Sequence, residues 1–201
     1  MNITLLRHGR SLADDEGKFE GRYDSPLTDV GREQAKNRAH SWKENGTTFD
    51  KIIASSLVRA KETAEIIGAM FDVSVKTDDD WMEMDNGGLA GLTREEGKAK
   101  YPMPPFMNPF DRIADTGESA FQLHSRAMNA IEKLMQNRNG SYLIVAHGGI
   151  LNAAMRMILG IPLPVNWSGS SFAFRDLGFI ELTYNPAIHK WTVVRFEPGQ
   201  R

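Results

Sequence analysis

Short apolar runs alternate along this chain with stretches whose apolar residues recur at helical spacing. Strands are predicted over 3–6, 51–54 and 73–76, each bounded by polar or turn residues, and helices over 31–45 and 57–70. In the second helix Val58, Ala60, Ala64, Ile67 and Ala69 supply the small and apolar positions. The second half repeats the alternation with a helix over 119–137, a strand over 142–146 and a helix over 149–159, and two strands over 172–183 and 190–196 close the chain. The run Tyr142-Leu143-Ile144-Val145-Ala146 has no polar partner positions, as expected for a strand covered on both faces. A βαβα order of this kind predicts an α/β fold: a three-layer αβα sandwich around a mostly parallel sheet.

The pattern lapses between Gly97 and Gly117, where proline, methionine and phenylalanine crowd together. Linkers are commonly polar, whereas this segment carries Tyr101, Met103, Phe106, Met107 and Phe110. It reads either as an inserted lid over about 97–117 of one domain spanning 1–201, or as a loop that covers core. Asp78-Asp79-Asp80 reads as a solvated turn, because adjacent carboxylates do not converge on one ion unaided.

Composition narrows the function classes. The chain has 201 residues, 41% of them hydrophobic and 25% charged, enough for a substantial core. A formal net charge of −2 provides no global basic field, so neither nucleic acid nor an anionic membrane surface is expected as a partner. The absence of cysteine removes thiolate nucleophiles, disulfides and zinc-thiolate sites together. No apolar run is long enough to span a bilayer, and Met1-Asn2-Ile3-Thr4 leads straight into the first strand without a basic leader, so a cytoplasmic location is expected. A homodimer is compatible with this composition, though no residue demands one.

Ligands in α/β sheets sit beyond the carboxyl ends of the strands. Three such ends carry charged or titratable groups here: Arg7-His8 after the first strand, Arg59 soon after the second, and His147-Gly148-Gly149 after 142–146. Guanidinium forks suit phosphate oxygens, and the glycines opening the last helix offer backbone N–H groups with a favourable dipole. A neutral imidazole can attack phosphorus and split one difficult displacement into two easier ones. Such chemistry also needs a proton donor, and Glu83, among Trp81, Met82 and Met84, is the best candidate, with Asp85 its rival. Apolar neighbours are expected to raise its pKa.

Arg7-His8-Gly9-Arg10-Ser11, followed by Gly21, Ser25-Pro26-Leu27-Thr28-Asp29-Val30-Gly31 and Gln34-Ala35, resembles the opening signature of the histidine phosphatase superfamily, also called phosphoglycerate mutase-like. Ser55-Ser56-Leu57-Val58-Arg59-Ala60 is similar to that family's second arginine motif, and Glu83 through Gly87, with Gly91, Leu92 and Thr93, to its acid segment. Gly117-Glu118-Ser119 and Val145-Ala146-His147-Gly148-Gly149 are similar to its last two motifs. The resemblance implies a phosphoglycerate mutase-like fold, with His8 as phosphorylated nucleophile and Glu83 as general acid and then base. It implies that Arg7, Arg59 and His147 bind the phosphoryl oxygens, and that Gly148, Glu20 and Gly21 lie on the substrate side. No metal or other cofactor is implied, and the partner expected is a small-molecule phosphate ester.

Four positions depart from the family's usual pattern: Arg10, Asp14 in place of an asparagine, Lys18 in place of an arginine, and Glu20 in place of a glutamine. Asp14 either turns away, pairing with Arg10, or tunes the pocket. The insertion has no arginine or lysine from Tyr101 to Asp111, which favours a phosphomonoesterase over a phosphoglycerate mutase, with Phe106, Met107 and Phe110 as substrate-side contacts or simply lid packing. A non-catalytic phosphate-binding or regulatory protein is the alternative of another class. Its mark would be a replaced Arg7, His8, Arg59, Glu83 or His147, and all five are present.

Overall fold

The computed structural model describes residues 1–136 and 139–200. Its sheet has six strands: β1 (Asn2–Arg7), β2 (Lys51–Ala54), β3 (Val75–Thr77), β4 (Ser141–Ala146), β5 (Phe179–Asn185) and β6 (Lys190–Glu197), in the order β3-β2-β4-β1-β5-β6. The first four in that order are parallel; β5 and β6 run antiparallel at one edge. The helices among the described residues are α1 (Leu12–Asp15), α2 (Asp29–Glu44), α3 (Val58–Phe71), α4 (Arg94–Lys100), α5 (Ala120–Gln136) and α6 (Gly148–Ile158).

Two separate hydrophobic layers explain the sandwich. Ile3 and Leu5 of β1 and Tyr142, Ile144 and Ala146 of β4 pack under α5 and α6, which present Leu123, Ala127, Ile131, Ile150 and Leu151. Leu6, Leu143 and Val145 point the other way, toward Ala39 and Trp42 of α2 and Ala60, Ala64 and Ile67 of α3. Each fully buried leucine or isoleucine contributes about 1.5–3 kcal/mol, so a strand apolar on both sides has no polar register to slip into.

The helices begin where capping chemistry allows. Thr28 accepts the N–H of Gly31 at 3.0 Å to open α2, with Asp29 in its first turn. A Cβ on Gly31 would lie 2.2 Å from the carbonyl of Arg10, and one on Gly9 2.6 Å from the carbonyl of Gly31. Only glycine at both positions lets the loop after β1 lie flat on the start of α2, and this sets where His8 points.

The predicted elements differ from the observed ones at definite places. The last residue of the helix predicted over 119–137 lies outside the described residues. The third strand begins later, at Val75. Residues 97–100 form the end of α4, whose capping box at Thr93 and Glu96 extends helix into the segment read as lid. The strand predicted from 172 begins only at Phe179, because the chain turns at Arg175–Gly178, where Gly178 N–H donates to Arg175 O and Leu177 takes a φ of 51°. That turn carries Asp176 to the end of β1.

Candidate active site

Parallel pairing of β1 with β4 aligns Arg7 with Ala146, so the next residues, His8 and His147, emerge side by side. His8 N–H continues the ladder to Ala146 O at 3.0 Å, and beyond β2 Ser55 N–H does the same to Val145 O at 2.9 Å. Both histidines are fully buried, with ring centroids 5.0 Å apart.

The hydrogen bonds define the state of His8. Its Nδ1 lies 2.7 Å from the carbonyl of Gly9, which can only accept, so Nδ1 carries the proton. Arg59 Nε donates to Nε2 at 3.2 Å, so that nitrogen offers a lone pair. Burial, reinforced by Arg7, Arg59 and His147, holds the pKa of His8 well below the ordinary histidine value. His147 is lowered in the same way, by burial and then Arg59 and Arg7. Its Nε2 meets Ser55 Oγ at 2.8 Å, while Nδ1 is buried without a hydrogen-bond partner. A buried imidazole nitrogen left unpaired beside His8 is available to a ligand oxygen.

Arg59 enters from α3, fully buried, and its Nη1 and Nη2 donate to the carbonyls of Tyr23 and Gly21 at 3.0 and 2.9 Å. Arg7 donates to Asp176 at 2.6 Å and to Asp14 at 3.2 Å. Glu20 stands between the two arginines, 3.3 Å from Arg59 Nε and 4.0 Å from Arg7 Nη2.

Glu83 is placed by the start of α6. Its Oε2 accepts the N–H of Gly149 at 3.0 Å, and Oε1 accepts those of Ile150 and Met84 at 3.1 and 2.8 Å. A Cβ on residue 149 would stand 2.4 Å from that carboxyl, which explains the glycine. The surroundings are therefore backbone donors at a helix N-terminus, not the apolar shell expected from Trp81, Met82 and Met84. One of the glycine N–H groups expected to meet phosphate, that of Gly149, serves Glu83 instead.

Behind Glu83, Arg126 of α5 donates to the carbonyls of Asp80, Met82 and Glu83 at 3.0, 2.5 and 3.1 Å and pairs with Glu118 at 2.7 Å. Glu118 also accepts the N–H of Asp85 at 2.9 Å. This pair positions the Glu83 loop. Arg126→Met is expected to lower kcat about 10²-fold with little change in KM, since small misplacement of an acid costs that much. Partial recovery of kcat in Arg126→Lys, measured at a temperature where both variants are folded, separates positioning from simple loss of stability.

A cavity of about 600 Å³ opens over these groups, bordered by Arg7, Glu20, Gly21, Glu83 and Gly148. The histidine phosphatase superfamily (branch 1) matches residues 3–196. The chain belongs to that superfamily. Relatives within it are named both as phosphatases and as mutases. The "Uncharacterized phosphatase PhoE" of Bacillus subtilis is 33% identical over 79% of this chain and 77% of its own length. The "Probable phosphoglycerate mutase GpmB" of Shigella boydii is 30% identical over 94% of this chain and 87% of its own. Among solved structures, a mycobacterial glucosyl-3-phosphoglycerate phosphatase complexed with VO3 superposes with a TM-score of 0.83 at 21% identity, over 98% of this chain and 99% of that one, a likeness of fold.

Of the superfamily's motif residues, Arg7 and Glu83 border the cavity, while His8, Arg59 and His147 are fully buried and adjoin one another, Arg59 Nε on His8 Nε2 at 3.2 Å and the two imidazole rings 5.0 Å apart. Phe106 and Phe110 do not join them. Both are exposed, Phe110 stacks on Phe121 of α5 at 5.0 Å, and Met107 is buried away from the cavity. Of the insertion's apolar residues Met107 alone is buried, Met103, Phe106 and Phe110 being exposed, and a separate cavity of about 350 Å³ lies between Tyr101 and Ile113. Asp14 neither turns away nor pairs with Arg10: it faces the cavity on Arg7, and Arg10 takes Asp15 at 2.5 Å. Positive charge absent from the insertion arrives from elsewhere, with Arg10, Lys18, Arg94 and Arg175 all on the cavity wall.

Sequence reasoning missed Asp176 and Arg126, and held Ser55 and Glu118 only as motif positions without a role. An aspartate within an apolar run, Phe174-Arg175-Asp176-Leu177-Gly178, was the available signal for the first. Asp78-Asp79-Asp80 is a turn as expected, with Asp78 and Asp80 both paired to Lys133. Among the described residues no helix is long and apolar enough to cross a membrane.

Proposed function

We propose that this chain is a phosphomonoesterase acting through a phosphohistidine on His8. The observation that carries the reading is the unprotonated Nε2 of a buried His8, which meets Arg59 Nε at 3.2 Å and stands 3.7 Å from Glu20, a residue of the cavity wall. In the first half-reaction Nε2 attacks phosphorus, the ester P–O bond breaks, and Glu83 gives its proton to the departing oxygen. In the second, Glu83 takes a proton from water as that water attacks, the P–N bond breaks, and inorganic phosphate leaves with His8 restored. Arg7, Arg59 and His147 meet the three equatorial oxygens, so that charge is stabilised by groups already in place. This route uses no metal.

A second reading is phosphoryl transfer between acidic metabolites, as in the mutases. It is favoured by Arg94 and Arg175, which border the cavity and form no ion pair among the described residues, Arg94 lying over the Phe19 ring. Assay of p-nitrophenyl phosphate and a panel of metabolite phosphates between pH 5 and 8, beside mutase assays with phosphoglycerates, tests both. Hydrolysis that exceeds transfer supports the esterase; transfer that dominates overturns it, and failure of both points to a binding protein.

Glu83→Gln supplies a sharper check. Its loss is expected to cost about 10²–10⁴-fold for alkyl phosphates, whose leaving alkoxide needs a proton, and far less for p-nitrophenyl phosphate. Equal losses on both substrates, measured as kcat, would remove the general-acid role.

A further inference from the structure

Glu20 occupies the place where an incoming phosphoryl group must put its charge. Its Oε2 lies 3.7 Å from His8 Nε2, the atom that would bond phosphorus, and its Oε1 3.3 Å from Arg59 Nε. Asp14 meanwhile holds Arg7. An anion entering this pocket therefore meets three carboxylates already seated on the guanidiniums, Asp14 and Asp176 on Arg7 and Glu20 on Arg59, an arrangement that opposes binding if all stay charged. Glu20 is held there by its neighbours: its side chain is 16% exposed, and the next residue is tethered by Arg59 through the carbonyl of Gly21.

We propose that Glu20 takes up a proton when a phosphoryl dianion binds, and then donates that O–H to the oxyanion as an amide would. The inference rests on the phosphoryl-site reading above. Ser11 fixes where the Glu20 carboxyl sits: its Oγ lies 2.5 Å from Glu20 Oε1 and accepts the N–H of Asp14 at 3.1 Å, while Asp14 Oδ2 takes the Ser11 N–H at 3.2 Å.

Among the groups facing the site, Arg7 and His8 come from the end of β1, Asp14 from α1, Arg59 from α3, His147 from the end of β4 and Asp176 from the turn before β5. The histidines are buried and held neutral, and the arginines keep their charge, which leaves Glu20, Asp14, Asp176 and, elsewhere on the cavity wall, Glu83 to take the proton. Burial pushes Glu20 up; Arg59 opposes this, Asp14 adds to it, and Ser11 and Arg7 oppose it further. Asp176, also raised by burial, is hydrogen-bonded directly to Arg7 at 2.6 Å.

Calorimetric titration with sulfate, a tetrahedral dianion whose charge is constant from pH 5 to 8, tests the proposal without turnover. In buffers of different ionisation enthalpy the native chain is expected to take up as much as one proton per sulfate, and its Kd to weaken by up to about tenfold per pH unit above the Glu20 pKa. Glu20→Gln is expected to bind with no proton uptake and a flat pH profile, and Glu20→Ala to be equally flat but weaker, having lost the donor. Glu83→Gln is expected to keep the uptake. Uptake that persists in Glu20→Gln, or that vanishes in Asp14→Asn, Asp176→Asn or Glu83→Gln instead, overturns the assignment. Sulfate binding by the native chain without any uptake overturns it alone; no sulfate binding at any pH overturns it together with the phosphoryl-site reading.

Discussion

Alanine at His8 is expected to lower phosphatase turnover by about 10⁴-fold or more, the scale seen when an enzyme loses its nucleophile. Rapid quenching of the native enzyme in base during turnover should yield an acid-labile phosphoprotein, and His8→Ala should yield none. Label that survives in the variant would move the nucleophile to another residue. The fold should persist, because Arg59 keeps Glu20 and the carbonyls of Gly21 and Tyr23 as partners. The pH dependence follows from the lowered pKa of His8: the neutral, nucleophilic ring persists as pH falls through about 6.5, so the acid limb of kcat/KM lies below that value. Stability has the opposite sensitivity. Below about pH 6.5 the unfolded chain binds protons that the buried histidines refuse, so unfolding becomes easier as pH drops, and His8→Ala removes part of that slope.

Methionine at Arg59 is expected to damage both stability and catalysis. The side chain is fully buried and donates to two backbone carbonyls and to His8 Nε2, while its charge faces Glu20. Without it the carbonyls of Gly21 and Tyr23 lose their donors and Glu20 loses a counter-charge, a loss of about 3–5 kcal/mol by the usual cost of breaking a buried ion pair. Urea denaturation measures this directly. In the fraction that remains folded, kcat/KM should fall by about 10³-fold, because a preorganised donor to the transferring group is gone. Arg59→Lys should recover less than half of either loss in free energy, since an ammonium cannot span three acceptors in a fork. Full recovery by lysine would show that point charge alone matters there.

What could be read from the sequence, and what could not, divides along the range of the interactions involved. Tyr142–Ala146 announced a strand buried on both faces because five consecutive apolar residues fit little else, and strand ends carrying Arg7, His8 and His147 pointed to one rim. The superfamily motifs then connected Glu83 with them. Local neighbours misled at Glu83 itself, however: Met84 meets it through its backbone N–H and not as apolar cover, and the other groups that hold its oxygens belong to residues 149 and 150, brought there by packing of α5 and α6. Phe106 and Phe110 were misread for the same reason. Apolar composition suggests that a segment will find cover, and only the packed fold shows that Phe106 and Phe110 stay exposed, Phe110 beside the likewise exposed Phe121 of α5. Asp176 escaped because strand propensity on both sides concealed the turn at Arg175–Gly178.

The pairing of β1 with β4 joins Asn2 to Ser141 across nearly the whole intervening chain. No local segment can rehearse such a contact, so its loop-closure entropy must be met before any of its enthalpy is recovered. His8 and His147 therefore become neighbours only when the centre of the sheet zips. Recovery of activity after dilution from denaturant should lag behind helix formation and coincide with protection of the His8 amide from hydrogen exchange, which makes turnover a late and all-or-none reporter of refolding.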